Sequence, residues 1–407
     1  MKYDTPFVEM ECCQLTKDGQ AACGDDFQWL RLENENRNIA VLSDGLGSGI
    51  KAHLLANMTT TMALKFIRSN MDILQSAETI MDTLPVCEIR KISYATFTIF
   101  DMQMGGKTRV IEMGNPPFIH LRGALEIPPS STKTLVSERW PDREMQLSEL
   151  RLEVGDRLIA CSDGVTQAGL GRREYKFGWT RRGCMQFIQD LIREQPDISA
   201  KDIAQAVAYQ ALSINRDHKC IDDISCMVIY LRKPRVCRVL TGPPFRKERD
   251  HEFAALALPE TGADKVVICG GTTANIVERE LRTKTEIDLK MVRFSKGLPP
   301  PGKIPGIGLV TEGILTLTRV ASDLENGNWE DSPPAAKDII NEMMESDIIE
   351  FIVGTKVNEA HQDPNLPIDL EIRRNIIKRL QDVLQQNYRK KLQSNIIKEG
   401  GREYGEP

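Results

Sequence analysis

Hydrophobic and polar positions along the 407-residue chain change period at a few well-marked places. Residues 7–43 form short apolar runs broken by turns, with Lys17-Asp18-Gly19 as a hairpin signal, and this predicts strands. The last run, Ile39-Ala40-Val41-Leu42, leads straight into Asp44-Gly45-Leu46-Gly47-Ser48-Gly49. Behind it the period lengthens. Leu54, Met58, Met62 and Phe66 recur every four residues, which predicts a long helix with that stripe packed into the core. A second helix is expected over 72–83. From 91 to 160 the pattern returns to strands (SYATFTIFDM, KTRVIEMG, FIHLRG, MQLSELRLEVGD, RLIACS), with a surface loop centred on 127–131. A helical stretch follows over 181–213, then a final strand over 224–231. Strands at regular spacing with helices grouped between them favour α+β with antiparallel sheets over a doubly wound parallel sheet.

The rhythm changes after residue 232. Clustered basic residues and Gly242-Pro243-Pro244 mark a boundary, so 1–235 is expected to be one domain and 236–397 a smaller α/β domain. Its elements are a strand at 266–269, a helix at 274–281, a strand at 348–353 and a helix at 369–393 with Ile372, Ile376, Leu380 and Leu384 on one face. The Gly-rich tail, 398–407, is expected to be flexible. Between the first strand and helix, Gly270-Gly271-Thr272-Thr273 offers backbone N–H groups and hydroxyls that suit a phosphate or carboxylate. A tight turn with threonine caps explains the same residues equally well. No Lys-Ser/Thr follows to make a P-loop, and no G-x-G-x-x-G appears. Thr311-Glu312-Gly313 and Val353-Gly354-Thr355 are similar loop edges, expected to line the same cleft in a regulatory or ligand-sensing domain.

Composition narrows the partners. A net charge of −5 with no long basic run gives no footprint for nucleic acid, so proteins and small molecules are the expected partners. The ten cysteines include no C-x-x-C pair and no zinc-like Cys/His spacing. Neither a signal-peptide stretch at the N-terminus nor an apolar run of the roughly 18–20 residues that span a membrane is present, and a reduced, cytoplasmic protein is expected.

The chemistry lies in carboxylates at the edges of predicted strands: Asp25 in Gly24-Asp25-Asp26, Asp44 in Ser43-Asp44-Gly45, Asp163 in Ser162-Asp163-Gly164, and Asp222 in Asp222-Asp223-Ile224-Ser225. A carboxylate at the mouth of a buried strand is costly unless paired or bound to a cation. None of the five histidines sits beside these aspartates, and an oxygen-only site suits hard ions such as Mg²⁺ or Mn²⁺. Two such ions a few ångströms apart hold a hydroxide for in-line attack on phosphorus. Gly45, without a Cβ, lets its carbonyl approach a metal. Of the adjacent acids, Asp26 and Asp223 are read as solvated or turn-capping. Lys51 is a candidate to orient the substrate phosphate, and His218, near Asp222, is a second group to consider.

Four segments, NIAVLSDGLGSGIKAHLLANMTTTMA, VIEMGNPPFIHLRG, DRLIACSDGVTQAG and DDISCMVIYL, occur in family order and resemble the PPM-type (2C-class) phosphatases, specifically the bacterial SpoIIE branch. The resemblance spans about 8–232. It implies two packed antiparallel β-sheets flanked by helices, a centre of two Mn²⁺ or Mg²⁺ ions, and hydrolysis of phosphoserine or phosphothreonine on a protein. By that resemblance Asp44 bridges the metals and Gly45 offers its carbonyl, Asp163 and Asp222 hold the first ion, and Asp25 helps hold the second, mostly through water. Asp44, Asp163 and Asp222 are the catalytic set. In the bacterial branch the usual substrates resemble anti-sigma-factor antagonists, and a homodimer is left open. Eukaryotic relatives carry an arginine before the first acidic motif; Gln20-Ala21-Ala22-Cys23 stands there instead. The C-terminal segments resemble the extension on SpoIIE-like phosphatases found beside iron-only hydrogenases.

Two other classes are carried. Asp44-Gly45-Leu46-Gly47-Ser48-Gly49 resembles the D-x-G-x-G box of histidine-kinase-like ATPases and anti-sigma kinases, which also need an upstream helix and a downstream Gly-rich lid. A non-catalytic partner-binding module would have lost a ligand aspartate, and none is missing here.

Overall fold

A computed structural model describes residues 5–83, 95–139, 144–287, 297–355, 366–388, 390–398 and 401–405. Cys87, the first residues of the strand expected from 91, and parts of the 398–407 tail lie outside the described residues. The chain divides at Arg232/Lys233 into two units, three residues before the boundary expected from the sequence.

The N-terminal unit runs β1 (Phe7–Leu15), β2 (Asp25–Leu32), β3 (Arg37–Gly45), α1 (Ile50–Arg68), α2 (Ile73–Thr83), β4 (Ala95–Gln103), β5 (Thr108–Met113), β6 (Ile119–Arg122), β7 (Leu125–Glu126), β8 (Ser131–Val136), β9 (Glu144–Leu150), β10 (Asp156–Cys161), the short α3 (Asp163–Thr166), α4 (Thr180–Glu194), α5 (Ala200–Ile214) and β11 (Ile224–Arg232). Two sheets result, ordered β1-β11-β10-β6-β7 and β2-β3-β4-β5-β9-β8. Every neighbouring pair in both sheets is antiparallel. The sequence expectation of an α+β sandwich holds.

Period-two alternation assigns each strand residue a layer. In β3, Ile39 and Val41 pack against α1 and α2, whereas Ala40 and Leu42 face the core between the sheets, with Leu158, Met227 and Ile229. Helices α4 and α5 cover the outer face of the other sheet. The unit is therefore layered helix, sheet, sheet, helix. The helix expected over 181–213 is broken at Gln195-Pro196, where proline removes an N–H donor, and α5 restarts from Ser199, whose hydroxyl caps the Asp202 N–H at 3.0 Å.

One packing expectation is overturned. Leu54 and Met58 are 56% and 43% exposed, while Ala52, Ala56, Thr59, Thr60, Ala63 and Ile67 form the buried face of α1. Helix α1 lies so close to β2 and β3 that a Cβ at Gly45 would overlap the Ala52 carbonyl oxygen, and only small side chains fit the interface. A buried clamp fixes its far end. Arg37 donates to Asp101 Oδ1 at 2.7 Å, to the Ile67 carbonyl at 2.9 Å and to Asn70 Oδ1 at 2.8 Å, tying the last turn of α1 to β4.

The C-terminal unit contains β12 (Val236–Thr241), α6 (Asp250–Ala255), β13 (Lys265–Cys269), α7 (Gly271–Leu281), β14 (Glu286–Ile287), β15 (Gly302–Ile304), β16 (Gly308–Thr311), α8 (Ile314–Asn326), α9 (Pro334–Met344), β17 (Ile348–Gly354), α10 (Leu366–Tyr388), β18 (Lys391–Lys398) and β19 (Gly401–Gly405). Its sheet is ordered β14-β15-β16-β13-β12-β17-β18-β19. The central five strands are parallel and run, in chain order, 3-2-1-4-5, the doubly wound arrangement. Helices α6 and α7 cover one face, and α8, α9 and α10 the other. The expected α/β character is present. Three details differ: the Gly-Thr segment is already the first turn of α7, Ile372 is 38% exposed, and Gly401–Gly405 in the tail pairs with β18 as a strand.

Candidate metal centre

Asp25 opens β2 and Asp44 lies near the end of β3, and the antiparallel register sets them directly opposite each other. Asp44 follows Ala40 and Leu42 on the face between the sheets, so both carboxylates point into the intersheet space. Asp26 points the other way. Its carboxylate accepts from Gln28 and Asn57 at 3.2 Å each and from the Thr60 hydroxyl, anchoring α1. It is neither solvated nor a turn cap, contrary to expectation.

The other sheet brings the remaining acids to the same end. Asp163 follows β10 as the first residue of α3, and Asp222-Asp223 leads into β11, the partner of β10. A Cβ at Gly164 would overlap the Asp223 carbonyl oxygen, so glycine is required for the two segments to cross. The turn between β1 and β2 is stapled alongside: Lys17 N–H donates to Asp223 Oδ1 at 2.9 Å, Asp18 N–H to the Cys220 carbonyl at 2.9 Å, and Cys220 N–H to Asp18 Oδ1 at 3.2 Å. Asp223 is thus a buried structural residue, and Asp222, half exposed, is the one left facing outward. Lys17 Nζ stands 3.6 Å from Asp222 Oδ1. That cation was not singled out in the sequence; its position on the predicted hairpin was the available signal.

Electrostatics follow from this crowding. Asp25 is 1% exposed and neither carboxylate oxygen has a hydrogen-bond partner. Two hydroxyls stand nearby, Ser162 Oγ, which accepts from the Ser225 N–H at 3.0 Å, and Ser225 Oγ, which accepts from Gln14 Nε2 at 3.1 Å. Burial raises the pKa of Asp25, the Ser225 and Ser162 hydroxyls counter it, and the charges of Asp223 and Asp163 add to the rise. Asp44 is raised by burial first, then by Asp25, Asp163 and Asp222. Asp163 rises for the same reasons, burial and Asp222, against the Gln167 amide, which donates to its Oδ2 at 2.8 Å. Asp44 thus feels the charges of three other acids, Asp25, Asp163 and Asp222, each from a separate segment.

Such a set is unfavourable on its own and fits cations well. Two like charges opposite each other on adjacent strands repel, the buried oxygens of Asp25 lack donors, and every candidate donor is oxygen, which suits hard divalent ions. Among the described residues, no group of three or more His, Cys, Asp or Glu side chains is placed so that it could hold a metal ion. Lys51 is exposed in the first turn of α1 and His218 is exposed before β11. His53 Nδ1 lies 3.0 Å from the Cys23 carbonyl, beside the acidic set.

In the C-terminal unit, the Gly270–Thr273 turn and Glu312-Gly313 line a common cleft of about 230 Å³ with Thr241, Gly242, Pro243 and Arg373, at the carboxyl ends of the parallel strands. Gly354 approaches it through its carbonyl, which accepts from Arg373 Nη1 at 3.4 Å.

Fold and site define a class: a two-sheet sandwich with an all-carboxylate cluster at one end of the space between its sheets. Residues 34–232, just under half of the chain, match the family model described as Stage II sporulation protein E (SpoIIE). A curated relative, stage II sporulation protein E of Bacillus subtilis (strain 168), is 26% identical over 162 residues. The match covers 39% of this chain and only 19% of that protein. Among solved structures, the PP2C phosphatase domain of B. subtilis SpoIIE with a fragment of its regulatory domain is 19% identical, covering 56% of this chain and 63% of the other, with a TM-score of 0.46. The SiaA-PP2C domain of Pseudomonas aeruginosa is 15% identical, covering 54% and 85%, with a TM-score of 0.41. The ATPase alternative needed a helix upstream of Asp44, and β1 and β2 are strands. No helix among the described residues is long and apolar enough to cross a membrane.

Proposed function

We propose that the N-terminal unit is a metal-dependent protein phosphatase that hydrolyses phosphoserine or phosphothreonine on a protein partner in bacterial signalling, working in the cytoplasm. One observation carries the reading. In a unit that matches the SpoIIE family model over 34–232, Asp25 and Asp44 face each other in the intersheet space and share the electrostatic field of Asp163 and Asp222. In this reading Asp44, with the Gly45 carbonyl, and Asp163, Asp222 and Asp25 are the residues that would hold two Mn²⁺ or Mg²⁺ ions. When bound, such ions neutralise phosphoryl oxygens and lower the pKa of a coordinated water.

The chain's own residues do the remaining work. Gly45 and Gly164 permit the close backbone approaches that hold Asp44 and Asp163 in place, and Gln167 fixes the Asp163 carboxylate. Lys17, 3.6 Å from Asp222 Oδ1, is a cation within reach of the carboxylates, and it joins Lys51 as a candidate to steady substrate phosphate. The C-terminal unit is read as regulatory, its cleft at the strand ends being the place where doubly wound sheets take ligands.

The deciding experiment is hydrolysis of an aryl phosphate by the full chain with Mn²⁺, Mg²⁺ or chelator. Turnover should require the metal and vanish in Asp44→Ala and Asp163→Ala with the fold intact. Retained turnover in both variants refutes the site. Deletion of 240–407 with no change in rate or its regulation would count against the regulatory reading.

A further inference from the structure

A second cavity lies within the N-terminal unit, about 500 Å³ in volume. It sits where the β6-β7 edge of one sheet meets β5, β8 and β9 of the other, and none of Asp25, Asp44, Asp163 or Asp222 lines it. Its walls are mainly apolar, formed by Phe118, Ile127, Pro128 and Pro129. Into this apolar space the fold places two buried polar groups. A cavity of this size with few convergent polar anchors has the usual form of a small-molecule site.

His120 is the first anchor. It is 2% exposed and lines the cavity, and neither ring nitrogen has a hydrogen-bond partner. Its Nε2 lies 3.1 Å from Asp156 Oδ2. Burial pushes the Asp156 carboxyl up, but contacts from His120, Arg122 and the Glu153 N–H win and hold it down to about 2. A proton on Nε2 facing that carboxylate leaves Nδ1 as the ring atom able to accept from a donor in the cavity.

Glu112 is the second anchor. It is 8% exposed, and one oxygen accepts from the Phe118 N–H at 2.7 Å. Burial raises its carboxyl to about 7, against the Phe118 N–H and the charge of Arg181. Arg181 does not neutralise it directly, because its guanidinium is committed to the Phe118 carbonyl at 2.8 Å and Glu126 Oε1 at 2.7 Å. Both anchors are acceptors. The missing partner is a donor, and beside a buried carboxyl it is best positively charged.

We propose that this cavity binds a small organic amine, its apolar body against Phe118, Ile127 and Pro128 and its ammonium or N–H group directed at Glu112 and His120 Nδ1. The site does not depend on the phosphatase reading.

Benzylamine is the probe, with benzyl alcohol and benzoate as neutral and anionic counterparts of the same shape, each titrated into the full chain by calorimetry. Benzylamine should bind with a dissociation constant on the order of 1 mM, benzyl alcohol at least tenfold more weakly, and benzoate not at all. In histidine-labelled chain, the His120 Nδ1 resonance should move as benzylamine is added. Glu112→Gln keeps an acceptor for the Phe118 N–H and should fold; it should weaken benzylamine at least tenfold and leave benzyl alcohol unchanged. Ile127→Trp, placed on the wall to fill the space, should abolish both. The proposal is overturned if benzylamine fails to bind, if benzoate binds as well, if Glu112→Gln leaves benzylamine affinity intact, or if the His120 resonance does not move.

Discussion

Replacing Asp44 by asparagine should make the metal-free protein more stable while destroying its response to metal. Asp44 and Asp25 are opposite neighbours on β3 and β2, facing the buried space between the sheets. Side chains so placed have Cβ atoms about 5 Å apart. At that spacing, two carboxylates in an effective dielectric near 20 would repel by about 3 kcal/mol, and Asp44, raised to about 9, escapes by keeping a proton that the unfolded chain releases, at a cost of similar order. Asparagine keeps the shape and carries no such cost. For a unit of this size about 3 kcal/mol corresponds to a melting shift of roughly 6–12 °C, so Asp44→Asn in chelator at pH 7.5 should melt that much higher than wild type. Manganese should reverse the order. Wild type gains about 2.7 kcal/mol when free metal exceeds its dissociation constant a hundredfold, and the variant gains little, having lost a proposed ligand oxygen. Thermal melts of both proteins, with chelator and with a manganese series, read the two effects separately. A metal-free variant melting at or below wild type would show that the acids do not strain the fold. Equal stabilisation by manganese would remove Asp44 from the metal site.

Three further outcomes follow from other parts of the unit. Gly164→Ala forces a Cβ into the Asp223 carbonyl; a loss of about 1–3 kcal/mol in urea unfolding is expected, with loss of turnover larger than the unfolded fraction explains, and wild-type behaviour on both counts would refute the crossing. Asp101→Ala leaves Arg37 buried without its carboxylate and should cost about 3–5 kcal/mol by the same measurement; a cost below about 1 kcal/mol would show the clamp on α1 to be incidental. Glu112 has a folded value of about 7 against 4.5 for the free group, so the folded state holds its proton more tightly, and its contribution to stability is present below about 4.5 and lost as pH rises to about 7. Glu112→Gln should therefore flatten the fall in stability across that window, and an unchanged pH profile would contradict the burial argument.

Local pattern determined much of this protein. The continuous apolar run Ile39-Ala40-Val41-Leu42 marks a compact strand, and β3 is one; strand-edge aspartates beside apolar runs point to an oxygen-only site, because an unpartnered buried carboxylate is too costly to keep without a purpose. Where chain neighbours decide the answer, in the existence of strands and helices, the sequence sufficed. Contacts between distant segments were decided by the fold. Recurrence every four residues along α1 pointed to Leu54 and Met58 as core, yet its close approach to Gly45 buries alanine and threonine positions instead. Asp26 and Asp25 look alike as adjacent acids, and only strand geometry turns one toward α1 and the other toward Asp44. Lys17 meets Asp222 across 205 residues, and His120 meets a cavity, through packing that no local window contains. The physical reason is range: backbone and side-chain preferences act over a few residues, whereas which charges share a buried space is fixed when the two sheets close on each other.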